Sequence, residues 1–158
     1  MRNLTLFALM LVLPLTCLGD VIVGKVVGVS DGDTLTVLDG SNRRYKIRLS
    51  AIDAPEKNQP FGMRSKQALS SLCFGKDARV TPLKEDRYGR TVADVDCGGK
   101  NVNEEQIRTG MAWVYRKYAN GYGVLYTLED VARTGQQGLW IDQNPMPPWE
   151  WRHNRKIN

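Results

Sequence analysis

From Val21 onward the apolar positions alternate with a period of two. Val21, Val23, Lys25, Val27 and Val29 fall on one face, with Ile22, Gly24, Val26 and Gly28 on the other, and this β-branched, nearly two-sided segment predicts a first strand. Ser30-Asp31-Gly32-Asp33 is turn chemistry, and Thr34-Leu35-Thr36-Val37-Leu38 resumes the alternation. Asp39-Gly40 signals a hairpin, and Tyr45-Lys46-Ile47-Arg48-Leu49 forms the third strand of a meander. The period then changes. Asp53-Ala54-Pro55-Glu56 cannot continue a strand, and Ser65 to Cys73 carries Ala68, Leu69 and Leu72 at helical spacing before Gly75. Arg79–Leu83 and Thr91–Val95 read as two more strands around Asp86-Arg87-Tyr88-Gly89-Arg90. Short helices follow over Val102–Thr109 and Leu125–Thr134, the latter with Leu125, Leu128, Val131 and Ala132 on one face. Pro145, Pro147 and Pro148 predict an extended tail. The order β-β-β-α-β-β-α-α defines an α+β protein, mainly β, with an antiparallel sheet. One helix set among five short strands fits a small five-stranded Greek-key barrel of the OB type, with three α-helices in all.

The N-terminus is an address rather than part of this pattern. Met1-Arg2-Asn3 is positive and precedes an apolar run from Leu4 to Leu15, which at 12 residues is too short for a membrane-spanning helix. Residues 1–19 are expected to be a secretory signal peptide cleaved after Gly19, in preference to a lipid anchor at Cys17. The expected product is a single domain, residues 20–158, free of the membrane, exported to the periplasm or the medium, and monomeric by default for its size. Export leaves Cys73 and Cys97 as an even pair in an oxidising compartment, which predicts a disulfide from a helix end to a strand end. Two buried, unpaired thiols are the alternative.

Composition narrows the chemistry. The chain has 158 residues, 42% hydrophobic and 25% charged, with a net charge of +5, as expected of a folded domain with a polyanionic partner. Its single histidine, His153, excludes two-histidine metal sites and zinc fingers. Catalysis must then come from carboxylates, arginines or a hard metal. Asp31 and Asp33 flank Gly32, while Asp53 and Glu56 flank Ala54-Pro55. Carboxylates gathered without histidine are the ligand set of Ca²⁺ or Mg²⁺. Arg48 and Arg90 stand near them in sequence, and guanidinium grips phosphate bidentately. Together they form the set needed for metal-assisted phosphodiester hydrolysis. Trp113, Trp140, Trp149 and Trp151 read as packing residues, and Arg152, Arg155 and Lys156 as a solvated basic tail.

Asp31-Gly32-Asp33-Thr34, Arg48-Leu49 followed by Asp53-Ala54-Pro55-Glu56, and Asp86-Arg87-Tyr88-Gly89-Arg90 resemble the motifs of the staphylococcal (micrococcal) nuclease family, or thermonucleases. The likeness continues through Asn101-Val102-Asn103-Glu104 and Gly110-Met111-Ala112-Trp113-Val114. It implies a closed OB barrel and a calcium-dependent endonuclease of low sequence selectivity. DNA and RNA would be its partners, single strands preferred, cut at the 5′ P–O bond to leave 3′-phosphates. By the same likeness Asp33, Asp53 and the Ala54 carbonyl bind one Ca²⁺, with Mg²⁺ as a substitute. Glu56 is the general base, Arg48 and Arg90 hold the scissile phosphate, Arg87 and Tyr88 contact a neighbouring phosphate, and Tyr118 stacks on a base. Two departures stand out. Ala54 replaces the type member's threonine, and the loop Lys57–Phe61 is short. A catalytically silent OB module that binds nucleic acid is the alternative. It should lack some of Asp33, Arg48, Asp53, Glu56 and Arg90, and all five are present.

Overall fold

The computed structural model describes residues 20–157; the expected signal peptide lies outside the described residues. β1 (Ile22–Val29), β2 (Thr34–Asp39) and β3 (Arg44–Leu49) form the antiparallel meander. The barrel interior takes Val26, Leu35, Val37, Ile47 and Leu49, all essentially inaccessible. β1 is one-sided rather than two-sided, because Val23 points to solvent while Val26 is buried, and a bulge between Val26 and Gly28 then shifts the register. The β2–β3 hairpin is longer than the Asp39-Gly40 signal suggests. Asp39 pairs with Arg43 across Gly40-Ser41-Asn42, and Asn42 takes φ 61°. The Asp39 carboxylate accepts the Ser41 and Arg43 N–H groups at 2.8 and 2.9 Å, so this side chain organises the turn.

β4 (Ile52–Asp53) is followed by α1 (Gly62–Cys73), β5 (Asp77–Glu85) and β6 (Thr91–Cys97). β5 pairs antiparallel with both β1 and β6, and Pro82 sits where its ladder with β6 is bulged. Parallel pairing of Ile47–Leu49 with Thr91–Ala93 joins β3 to β6 and closes the five-stranded barrel. Closure leaves those strands without a free edge to pair. The rest of the chain is β7 (Lys100–Asn101), α2 (Val102–Arg108), β8 (Trp113–Val114), α3 (Gly123–Thr134) and α4 (Pro148–Ile157). Asn101 caps α2 through the Glu104 N–H. Cys73 and Cys97, the last residues of α1 and β6, are disulfide-bonded with Cα atoms 5.4 Å apart. A bridge spanning 24 residues contributes about 3 kcal/mol in the chain-entropy account.

Two expectations are corrected. On α3 Leu125 and Ala132 are buried and Leu128 packs against the core as expected, but Glu129 joins them while Val131 is exposed. Glu129 can be buried because it accepts the Val114 N–H at 2.9 Å and lies 3.2 and 3.4 Å from Arg116 and Arg133. The tail is not extended through its prolines and does not end as a solvated coil. Pro148 opens α4, the fourth α-helix among the described residues, in a position where a missing N–H costs nothing. Trp149 seats this helix by stacking on Tyr115 at 5.5 Å and meeting Trp113 edge-on at 5.9 Å. No described helix is long and apolar enough to cross a membrane.

Candidate active site

The turn between β1 and β2 brings Asp33 to the segment that follows β3. Gly32 makes this possible, since a Cβ there would lie 1.8 Å from Ser65 Oγ on α1 and 2.7 Å from the Ala54 Cβ. Gln106 from α2 fixes the same turn through the Gly32 carbonyl at 2.6 Å. Asp33 accepts the Ala54 N–H at 2.7 Å through Oδ2 and the Thr34 hydroxyl at 3.0 Å through Oδ1. Asp53 is carried by β4, which pairs with β8 in the register Asp53–Trp113. Arg48 binds the two aspartates together. Its Nη2 lies 3.2 Å from Asp33 Oδ2 and 3.0 Å from Asp53 Oδ1, while its Nη1 donates to the Leu49 and Ile52 carbonyls at 2.8 and 2.9 Å. Both Nη groups of Arg48 are thus engaged by the protein itself.

Glu56 follows on a tightly closed loop. The Gln59 N–H donates to the Glu56 carbonyl, the Glu56 N–H donates to Gln59 Oε1, and Gln59 Nε2 reaches the Met146 carbonyl at 2.6 Å. Gly62 presses against this loop so closely that a Cβ would lie 1.9 Å from the Glu56 carbonyl oxygen. The short Lys57–Phe61 loop is therefore a pair of locked turns. A residue absent from the sequence-derived site completes the cluster. Arg152 of α4 donates through Nη2 to Asp53 Oδ2 and through Nη1 to Glu56 Oε1, both at 2.7 Å. It is a ligand of the carboxylates and not part of a solvated tail.

Among the described residues no three His, Cys, Asp or Glu side chains converge on a metal position. Asp33 and Asp53 do converge, since each has an oxygen on the same Arg48 nitrogen. Burial, assisted by the charge of Asp33, pushes the Asp53 carboxyl above the ordinary carboxylate range despite the hydrogen bonds from Arg152. Burial and the neighbouring Asp33 charge push Asp31 up to about 6. Oxygen-only donors with surplus negative charge fit a hard divalent cation, with most of its six to eight ligands left to water and substrate. The Ala54 substitution does not remove a ligand of this kind, because the main-chain oxygen is independent of the side chain.

The Asp31 shift has a sign that can be tested without metal. Between its unfolded value of 3.8 and about 6 the folded state holds a proton that the unfolded state has released. Stability from this residue therefore falls as pH rises through that window. Asp31→Asn is expected to leave stability unchanged below pH ~4 and to raise it by about 3 kcal/mol above pH ~6. Urea unfolding in chelator across that range measures the difference. A gain that does not vary with pH would mean that Asp31 ionisation carries no cost.

The remaining predicted residues lie on a cationic, aromatic surface. Arg90, immediately before β6, is held by Asp86, with Nε and Nη2 at 2.8 and 2.7 Å from Oδ2. Its guanidinium lies 5.5 Å from the Tyr88 ring centroid, and that of Arg87 lies 5.0 Å away. Tyr88 is 68% and Tyr118 48% exposed, and Lys84 stands 4.9 Å from the Tyr118 ring. The structure thus gathers Asp33, Arg48, Asp53 and Glu56 into one cluster around Ala54. It places Arg90, Arg87, Tyr88 and Tyr118 on the surface, with Arg90 bound to Asp86 rather than to that cluster.

The family model described as "Staphylococcal nuclease homologue" matches residues 46–142, a span holding Arg48, Asp53, Glu56 and Arg90 but neither Asp33 nor Arg152. A Haemophilus influenzae protein named an uncharacterized endonuclease is 46% identical over 134 residues, covering 85% of this chain and 75% of its own. An Escherichia coli O157:H7 protein of the same description is 47% identical over 133 residues, covering 84% and 86%. A Shigella flexneri protein named micrococcal nuclease is 41% identical over 143 residues, covering 84% and 82%. A closed five-stranded barrel, the ordered acid and arginine motifs upon it and these similarities agree: the chain belongs to the staphylococcal nuclease family.

Proposed function

We propose that this protein is an exported, calcium-dependent endonuclease that hydrolyses DNA and RNA at the 5′ P–O bond, leaving 3′-phosphate ends with little regard for sequence. The observation that carries the reading is the Asp33–Arg48–Asp53 bridge, with Glu56 tied to Asp53 through a second guanidinium. Asp33, Asp53 and the Ala54 carbonyl would hold the cation, which when bound supplies Lewis-acid stabilisation of charge on the phosphoryl oxygens. Glu56 accepts the proton of the attacking water, whose oxygen bonds to phosphorus as the bond to the 5′ oxygen breaks, and the departing 5′ oxygen takes a proton from solvent to leave as a hydroxyl. Its side chain is 39% exposed, so water reaches it, while the locked loop fixes its direction. Arg90 grips the phosphate, and charge developing on the equatorial oxygens strengthens that grip. Tyr88 and Tyr118 are exposed rings with cations against them, a combination that suits unpaired bases and their phosphates and gives no base readout.

Cleavage of heat-denatured DNA in Ca²⁺, in Mg²⁺ and in chelator, with end-group analysis, tests this. The expected result is cutting in Ca²⁺, none in chelator, and 3′-phosphate products. Products ending in 3′-hydroxyls would reverse the direction of attack, and a folded protein that cuts under none of these conditions would instead be a binding module.

A further inference from the structure

Arg152 reaches the oxygens that the proposed cation needs. Its Nη2 lies 2.7 Å from Asp53 Oδ2, and its Nη1 lies 3.3 Å from Asp53 Oδ1 and 2.7 Å from Glu56 Oε1. Arg48 Nη2 adds a third donor to Asp53 Oδ1 at 3.0 Å. A carboxylate has about four lone-pair sites, so three of those on Asp53 are taken. The placement of Arg152 is built into the fold. Trp149 precedes it by three residues and so shares its side of α4. Trp113, against which Trp149 packs, is the register partner of Asp53 between β4 and β8. One two-residue ladder therefore carries both the carboxylate and the ring that seats the helix bearing its counter-ion.

A divalent ion on Asp53 and a guanidinium on the same two oxygens exclude one another, by like charge and by competition for lone pairs. We propose that Arg152 is a tethered competitor of the cation: it holds Asp53 and Glu56 in the metal-free protein and is displaced from Asp53 when the cation binds. This rests on the reading of Asp33 and Asp53 as cation ligands. Arg152 is on this account a positioning residue that keeps the buried carboxylate paired until the ion arrives. Displacement removes the ion pairs from Arg152 to Asp53 and leaves α4 tied to the barrel by the Glu56 pair and its aromatic contacts.

Calorimetric titration of the full chain with Ca²⁺, without nucleic acid, compares wild type, Arg152→Gln and Asp53→Asn. Arg152→Gln is expected to bind Ca²⁺ about tenfold more tightly than wild type, as removal of a competing charge requires. Asp53→Asn is expected to lose binding. Amide hydrogen exchange in α4 of the wild-type protein is expected to quicken at saturating Ca²⁺. Equal or weaker binding by Arg152→Gln, with wild-type binding intact, overturns the proposal and makes Arg152 a prop that pre-organises the carboxylates. Absence of binding to wild type and Arg152→Gln alike, or binding that survives Asp53→Asn, overturns the cation-site reading and the competitor with it. If Arg152→Gln does not fold, the exchange measurement on wild type decides alone: α4 protection unchanged by bound Ca²⁺ overturns the proposal.

Discussion

Arg90→Lys is expected to slow cleavage of single-stranded DNA by about 10²-fold or more while the protein stays folded. The reason lies in how the turn before β6 aims the guanidinium. Asp86 accepts the Tyr88 and Arg90 N–H groups at 2.9 and 3.0 Å through Oδ1, and the Arg90 side chain through Oδ2. The turn and the guanidinium are thus fixed by one carboxylate, which grips Nε and Nη2 and leaves Nη1 outside its hold. Parallel pairing of Ile47 with Thr91 sets this residue beside the strand that carries Arg48. Lysine keeps the charge but presents a point rather than a fork, so it binds phosphate without the geometry that strengthens in the transition state. The Asp86 pair is 24% exposed at the arginine, and its loss is expected to cost no more than about 1 kcal/mol of stability. Single-turnover rates at saturating Ca²⁺, read beside the thermal midpoint, separate the two effects. Turnover close to wild type would remove Arg90 from the phosphate grip. A rate loss that tracks a large drop in the midpoint would make it a turn-stabilising residue.

The strands were legible because their cause is local. Leu35, Ile47 and Leu49 alternate with polar residues, and half-buried barrel strands require that alternation. Barrel closure is not local. The β3–β6 pairing joins Ile47 to Thr91, and no periodicity announces a partner so distant, so it came with the family resemblance rather than from the pattern. The buried Glu129 shows the same limit. Helical spacing pointed Val131 inward, but Arg116 and the Val114 N–H from outside α3, together with Arg133 one turn further along it, decided that Glu129 turns to the core.

The site divides in the same way. Asp33, Asp53 and Glu56 could be read from two turns, since Asp-Gly-Asp and Asp-Ala-Pro-Glu hold carboxylates close along the chain. Arg152 could not, because 99 residues separate it from Asp53. The prolines before it argued for an extended tail, yet Pro148 at the first turn of a helix followed by Trp149 and, three residues on, Arg152 is also an N-terminal helix signal. Read so, it would have put an aromatic anchor and a cation on one helix face, although not opposite Asp53. Arg48 was found for one role and has a second: the structure uses its Nη groups to hold the site together.

That second role predicts that Arg48→Ala lowers the unfolding free energy by about 3–5 kcal/mol in chelator, the range for breaking a buried ion pair from one side. Three burdens rest on the guanidinium. It separates the charges of Asp33 and Asp53, which are 6% and 2% exposed. It satisfies the Leu49 and Ile52 carbonyls, which bracket the bend from β3 into β4. Within that bend Ala51 takes φ 57°, a left-handed conformation that a residue with a Cβ adopts only when its surroundings impose it. Alanine at 48 would leave the two carboxylates facing each other without a cation and the two carbonyls without a donor. The Asp53 carboxyl, already pushed up by burial, would rise further. A carboxyl whose folded value is raised is relieved by taking up a proton, so the deficit is expected to be smaller at pH 5 than at pH 8. Added Ca²⁺ is expected to narrow it in the same sense at pH 8, by replacing the missing positive charge between the aspartates. Urea unfolding of both proteins at the two pH values, with and without Ca²⁺, resolves these contributions. A deficit that ignores both pH and Ca²⁺ would assign the loss to the unsatisfied carbonyls and the bend at Ala51. One below about 1 kcal/mol throughout would mean that the bend and the carboxylate pair stand without Arg48, which would return that residue to the phosphate alone.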